Sequence, residues 1–165
     1  MKILISYFQQ IRYFKPYMIP VSTAIWDPKW LETENGRKPH IDKNGVFVGI
    51  KEESLIFDHN VFDNMDEQCQ KDCPYRYKAP NCDFMVKYLE QLRKIDFKNY
   101  LIPELARVAN EVKKILNFAE EPEIVLMVHE KPDVPCSERP ILKKVFAENG
   151  IELKEWSKDL SGIVF

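Results

Sequence analysis

The fold is decided by the run Ile124-Val-Leu-Met-Val128, which is followed closely by the loop Glu130-Lys-Pro-Asp-Val-Pro-Cys-Ser-Glu-Arg139. A continuous apolar run of this length is typical of a strand that is buried on both faces of a sheet. The loop leads into a helical pattern that stops at Asn149-Gly150, and residues 151–156 then read as another strand. Strand, helix and strand in so few residues predict a βαβ unit with parallel pairing.

The rest of the chain extends this pattern. Residues 2–7 and a stretch within residues 17–25 read as short buried strands, although Pro20 weakens the first half of the second one. Residues 82–95 and 103–118 carry apolar side chains at helical spacing. The sequence therefore predicts an α/β fold, a small Rossmann-like three-layer domain with a mostly parallel sheet.

One segment does not follow the alternation of strands and helices. Residues 27–82 are polar and rich in turns, and Asn44-Gly45 beside Val46-Phe-Val-Gly-Ile50 predicts a hairpin. The segment is long for a connection between two elements. We interpret it as an inserted, cysteine-bearing elaboration of a single domain that covers residues 1–165.

Composition and charge narrow the function classes. Hydrophobic residues make up 45% of the chain, charged residues 30%, and the formal net charge is -2. This balance predicts a globular protein without a clear nucleic-acid signal, although it does not exclude a local basic patch. The apolar start is too short for a signal peptide and no run is long enough to span a bilayer, so we expect a cytoplasmic protein without a membrane partner.

The loop 130–139 brings together reactive side chains after a buried strand, where ligands bind in open α/β sheets. Cys136 stands near a helix start, which favours the thiolate form of a nucleophile, whereas the carboxylate of Glu138 opposes it. Glu130 can accept a proton or bind a sugar hydroxyl. The predicted catalytic set is Cys136, Glu130 and Arg139; the alternatives are a structural cysteine and an Arg139 that pairs with Glu130 or Glu138.

The same edge of the sheet can also bind a ligand without any chemistry. Ser137 and Arg139 at a helix N-terminus can hold a phosphate or a carboxylate. Tyr7, Arg12 and Ser22 follow or end the first two predicted strands, and we expect them opposite this pair. The alternative is that the hydroxyls of Tyr7 and Ser22 satisfy backbone groups of the loops.

The remaining cysteines form a separate pattern. Cys69, Cys73 and Cys82 lie in the turn-rich segment, and three thiols on short loops suit zinc or an iron–sulfur cluster. The fourth ligand can be Cys136, His59 or an aspartate. The alternative is three free cysteines. There is no glycine-rich fingerprint for NAD or another dinucleotide.

Several motifs along nearly the whole chain point to one family: Ile5-Ser-Tyr-Phe8, Pro20-Val-Ser22, Pro28-Lys-Trp30, Cys73-Pro74, Cys82-Asp-Phe-Met85, Val128-His-Glu-Lys-Pro132 and Pro135-Cys-Ser-Glu-Arg139. Together they resemble the family called domain of unknown function 488, in its bacterial and phage-borne branch. The resemblance implies a small Rossmann-like α/β fold and no established activity. More distant members typically have Cys-His-Arg in the last motif, whereas Ser137-Glu138 separates the cysteine from the arginine here.

Three functions follow as hypotheses. The first is a protein that binds a small anionic or nucleotide-like ligand at the carboxyl ends of the strands, with or without thiol chemistry at Cys136. The second is a zinc or iron–sulfur protein. The third is a non-enzymatic module for host or phage interactions, with an unknown protein partner.

Overall fold

The computed structural model describes residues 1–31, 39–63, 83–134 and 137–161. The strands in these residues are β1 (Lys2–Tyr7), β2 (Met18–Ser22), β3 (His40–Ile41), β4 (Phe47–Val48), β5 (Ile50–Lys51), β6 (Glu123–Val128) and β7 (Lys154–Glu155). The α-helices are α1 (His59–Asp63), α2 (Asp83–Arg93), α3 (Ile102–Leu116), α4 (Arg139–Glu148) and α5 (Lys158–Ser161). Short 3-10 helices cover Phe8–Tyr13, Lys29–Leu31 and Glu53–Leu55, and Phe97–Leu101 forms a π-helical turn before α3.

Five strands form one sheet in the order β5-β2-β6-β1-β7, and all its neighbours run parallel. β6 lies at the centre because its side chains from Ile124 to Val128 are all buried, which suits a strand covered on both faces. β1 pairs with it along its whole length, from Lys2 opposite Glu123 to Tyr7 opposite Val128. Complete burial of such apolar side chains contributes about 1.5–3 kcal/mol each.

All three long helices pack on one face of the sheet. Their apolar side chains meet alternate residues of β1, β2 and β6, as the two-residue period of a strand requires. The buried residues of this layer include Ile5, Val21, Leu126, Val128, Tyr88, Leu92, Leu105, Ala109, Val112, Leu142, Val145 and Phe146. We call this the helical face.

The opposite face is covered by short elements. The 3-10 helix Phe8–Tyr13 and the antiparallel pair β3–β4 pack over Val125 and Met127. Asn44-Gly45 makes the turn of that pair, with Gly45 at φ +80°, where a side chain would be strained. We call this the loop face, and the part of it near β7 is less covered.

The prediction of a small Rossmann-like three-layer α/β domain is confirmed. Pro20 is tolerated in β2 because β5 pairs only with Val21 and Ser22, which leaves Pro20 with a single neighbouring strand. The last predicted strand is shorter than expected: residues 151–156 contain only the two-residue β7. β5, an edge strand of the main sheet, belongs to the segment 27–82 that the sequence marks as an elaboration.

Among the helices of the described residues, none combines the length and the apolar composition that a membrane span requires.

Candidate functional site

The carboxyl ends of β1 and β6 lie side by side, and the chain leaves them toward opposite faces. After β1 it enters the 3-10 helix Phe8–Tyr13 on the loop face, and after β6 it leads to α4 on the helical face. Adjacent parallel strands whose connections diverge in this way create the crevice in which α/β proteins bind ligands. The predicted loop 130–139 therefore stands at the expected place in the fold.

Arg139, the first residue of α4, is the most buried charged side chain near this edge, with 3% of its surface exposed. Its Nε lies 2.5 Å from Oε1 of Glu155 on β7. Lys143, one helical turn later, reaches the same oxygen at 3.0 Å. Arg139 is therefore held by Glu155. The sequence had suggested Glu130 or Glu138 as its partner.

The contact between Arg139 and Glu155 is close but poorly directed. None of the three guanidinium nitrogens of Arg139, and neither carboxylate oxygen of Glu155, has a hydrogen bond of acceptable geometry within the described residues. Buried polar groups in native proteins are almost always hydrogen-bonded, because a buried donor without an acceptor costs about 1–3 kcal/mol. The guanidinium of Arg139 therefore retains donors for a further acceptor.

Two carboxyl groups flank the start of α4. Burial, and next the neighbouring Glu130, raise the pKa of Glu138 to about 8. Glu130 is close enough to hydrogen-bond Glu138, and its Oε2 is buried without a partner among the described residues. The proximity of a second carboxyl group disfavours the charged form of Glu138. Glu138 is therefore protonated at neutral pH.

Tyr88 of α2 lies beneath this carboxyl pair. Burial, and secondarily the charge of Glu138, raise the pKa of its hydroxyl well above the ordinary value. The hydroxyl donates a hydrogen bond to the carbonyl oxygen of Leu55. Tyr88 is thus a neutral, buried support of the site.

Ser137 and Ser22 are both engaged with their own loops. The hydroxyl oxygen of Ser137 accepts a hydrogen bond from the backbone N–H of Arg139 at 3.1 Å, at the start of α4. The Ser22 hydroxyl donates to Oδ1 of Asp27 at 2.5 Å and accepts from the Ala24 N–H at 3.2 Å. Both hydroxyls therefore bond to groups of their own loops.

A lysine completes the cluster around Ser22. Nζ of Lys51 lies 3.7 Å from Oδ1 of Asp27 and donates to the carbonyl oxygen of Ile25 at 3.2 Å. The charge of the buried Asp27 is therefore balanced inside the fold. This cluster fixes the loop after β2.

Tyr7 and Arg12 take up different positions. The Tyr7 hydroxyl accepts a hydrogen bond from Nε2 of Gln10 at 2.8 Å, and its ring packs against the core of the helical face. Arg12 borders an open cleft on the loop face together with Lys2 and Glu123, at the amino ends of the strands. The structure thus keeps Tyr7 near the loop 130–139 but does not bring Arg12 to Arg139.

The His129 ring lies between the site and the loop face. Its Nε2 is hydrogen-bonded to the carbonyl oxygen of Trp26, and its centroid lies 4.9 Å from that of Phe8. His129 is exposed, so it is a bridge between loops at the surface and does not belong to the core.

The predicted metal ligands are the four cysteines of the chain. Cys69, Cys73, Cys82 and Cys136 all lie outside the described residues, so the structure places none of these four thiols. In the part of the chain that is described, no three His, Cys, Asp or Glu side chains are grouped to hold a metal ion. His59, a candidate fourth ligand, has its ring centroid 5.6 Å from that of Trp26.

Sequence reasoning missed Glu155 and Lys143. Lys143 stands four residues after Arg139 and therefore on the same helix face, which also carries the buried Leu142 and Phe146. Two cations on a face that packs against a sheet indicate an acidic partner on that sheet. The sequence shows this pattern of two cations, but it does not reveal where β7 lies, and the acidic partner Glu155 belongs to that strand.

No protein-family model matches the chain, and comparisons with curated proteins and with solved structures find no significant match either. The resemblance to the family called domain of unknown function 488 therefore stays a prediction.

Proposed function

We propose that this protein binds a small anionic, nucleotide-like ligand at the carboxyl ends of β1 and β6, with Arg139 as the main contact of the charged group. The observation that carries the proposal is the buried guanidinium, 3% exposed, whose nitrogens make no well-directed hydrogen bond within the described residues despite the close contact with Glu155. A phosphate or carboxylate oxygen is the acceptor that matches a guanidinium best.

The two cations of α4 support an anion at this position. Arg139 and Lys143 share the single carboxylate of Glu155, so this group of three carries one excess positive charge. The protonated Glu138 adds no negative charge at neutral pH. Glu130 beside it supplies an acceptor for a hydroxyl such as that of a ribose.

Calorimetric titration with AMP, inorganic phosphate and adenosine tests the proposal. We expect AMP to bind and adenosine, which lacks the anionic group, to bind much more weakly. Arg139→Met should weaken AMP binding at least tenfold, because hydrogen bonds to charged groups contribute about 1.5–3 kcal/mol.

The matched control is Arg93→Met, because Arg93 is an exposed arginine that pairs with Glu148 through a similar contact of 3.0 Å. This control should bind AMP as the natural protein does. Equal binding of adenosine and AMP, or AMP binding that is unchanged in Arg139→Met, would rule out an anion site at Arg139.

The sharper form of the proposal adds a nucleophilic thiol at Cys136. The neutral state of Glu138 supports it, because a protonated carboxyl does not oppose a nearby thiolate. Mass-spectrometric mapping after limited treatment with iodoacetamide should find Cys136 labelled faster than the other three cysteines. Uniform slow labelling would remove the thiol chemistry and leave the binding proposal intact.

The metal alternative rests on the spacing of Cys69, Cys73 and Cys82 alone. Elemental analysis and the absorption spectrum of anaerobically purified protein test it, and a folded sample that is colourless and free of metal would reject it.

A further inference from the structure

The loop face carries an open cleft of about 1070 Å³ between the sheet and the segment that joins β1 to β2. All three long helices pack on the other face, so that within the described residues short elements cover the edge near β7. The described residues that line it include Lys2, Arg12, Tyr13, Lys15, Lys154 and Trp156.

The register of the sheet places two lysines on the floor of this cleft. Lys154 pairs with Leu4 and Lys2 pairs with Glu123, and in parallel strands paired residues point to the same face. Glu155, the next residue of β7, points to the helical face and meets Arg139 there. Alternation along β7 therefore gives a cation to the cleft and the carboxylate to the opposite side.

The cleft carries a strong local positive charge. Five cations border it against two carboxylates, in a chain whose formal net charge is -2. Both carboxylates are already engaged, since Glu123 lies 3.9 Å from Lys2 and Glu155 is held by Arg139 and Lys143. Since the formal net charge of the whole chain is negative, the positive charge of this cleft is a local feature, and it attracts a polyanion to this face.

Aromatic rings stand among these cations. Tyr13 is 39% exposed, with Nζ of Lys158 lying 4.5 Å and Cζ of Arg12 lying 5.9 Å from its ring centroid. Trp156 is half-buried and braced edge-on by Phe14, with their centroids 5.1 Å apart. The ring of Tyr13 is thus accessible and that of Trp156 is held in a defined orientation.

From this geometry we infer that the cleft binds single-stranded nucleic acid. Lys2, Arg12, Lys15 and Lys154 contact the phosphates, and bases stack on Tyr13 and Trp156. Grooves that bind single strands combine a positive track for the backbone with aromatic platforms for the bases.

The aromatic rings favour this ligand over an acidic peptide. A peptide uses the cations but has no flat groups that need stacking, whereas every base has a π-face. The cations also surround an open groove, which suits a continuous chain better than a single small anion. This site is independent of Arg139, which lies on the helical face.

Fluorescence anisotropy of the full chain with a labelled oligothymidylate of about 10 nucleotides tests the inference, since single-strand sites span about 4–16 nucleotides. We expect binding whose logarithmic affinity falls with the logarithm of the salt concentration, by about 0.7 per phosphate contacted. Arg12→Glu and Lys154→Glu should each weaken binding at least tenfold and reduce the salt dependence. Lys114→Glu, an exposed lysine on α3, is the control and should do neither.

Tyr13→Ala should weaken binding roughly tenfold, the cost of losing one stacked base, and Tyr13→Phe should retain binding because the ring remains. Arg12→Glu should leave AMP binding at Arg139 unchanged, which separates this inference from the proposed function. Three results would overturn it: no binding of the oligothymidylate, binding that Tyr13→Ala leaves unchanged, or equal competition by a polyglutamate peptide.

Discussion

Removing Arg139 without its partner should destabilise the protein far more than removing both. Arg139→Met leaves Glu155, whose side chain is 15% exposed, with Lys143 as its remaining cation. Breaking a buried pair costs about 3–5 kcal/mol, and the remaining Lys143 holds the expected loss near the lower end, about 3 kcal/mol. For a chain of this size that loss lowers the melting temperature by about 6–12 °C.

The double variant Arg139→Met/Glu155→Leu should return to within about 1 kcal/mol of the natural protein, since apolar side chains often replace a buried ion pair without loss. Lys143 then loses its partner, but its side chain is 39% exposed and stays hydrated. Urea unfolding followed by circular dichroism measures all three free energies of unfolding.

The exposed pair Arg93–Glu148 provides the matched cycle, because its side chains are 51% and 37% exposed. Its coupling energy should not exceed about 1 kcal/mol. If the double variant at Arg139 and Glu155 is as unstable as the sum of its single variants, the two residues are not coupled and the assignment of Glu155 as the partner is wrong.

Three further predictions concern the surroundings of the site. The pKa of Glu138 is raised to about 8 in the folded protein, so between about pH 5 and 8 the folded chain keeps a proton that the unfolded chain loses, and the free energy of unfolding should fall by about 1.4 kcal/mol per pH unit. Glu138→Gln should remove this slope. Urea midpoints that depend on pH in the same way in both proteins would contradict the prediction. Ser22→Ala should cost about 1.5–3 kcal/mol in urea unfolding because the buried Asp27 loses a hydrogen bond of 2.5 Å, and a loss below about 0.5 kcal/mol would show that Lys51 suffices. Asn117 caps the C-terminus of α3 in the left-handed region, at φ 54°. Alanine is strained there and glycine is not, so Asn117→Ala should lower the melting temperature by about 2–4 °C, equivalent to about 1 kcal/mol, whereas Asn117→Gly should not. Equal effects of the two changes would argue against strain at this position.

Local patterns were enough to predict most of the elements. β1 begins and ends where its apolar run does, and the helix expected at residues 103–118 is α3, Ile102–Leu116. The apolar run after Glu121-Pro122 is β6, because a buried central strand needs no polar alternation. These features depend on neighbouring residues, which a single sequence displays.

The arrangement of the strands was not accessible in the same way. β6 and β7 are parallel as predicted, but β1 lies between them, and β7 pairs with it only at Leu4 and Ile5. Pairing over such separations is decided by the packing of the whole core. Lys2, Arg12 and Lys154 come together because of this strand order. They are far apart in the sequence, which contains no local basic run that would predict the cluster.

The sequence predicted where the loop 130–139 lies relative to the sheet but not the contacts of its side chains. The position of the loop followed from the rule for carboxyl ends of parallel strands, and β1 and β6 are indeed neighbours. The raised pKa of Glu138 depends on burial, which is a property of the folded loop. The same holds for the contact of Arg139 with Glu155.

The two residues of β7 also determine how the edge of the sheet is aligned. A slip by one position would turn Glu155 toward the lysines of the cleft and Lys154 toward the buried Arg139, where two positive charges would meet without water. Backbone hydrogen bonds hold a strand of two residues only weakly. The opposite charges of Lys154 and Glu155 disfavour the register that is shifted by one residue. The charges of its two side chains therefore help to align β7, so that a strand of two residues contributes to both faces of the sheet.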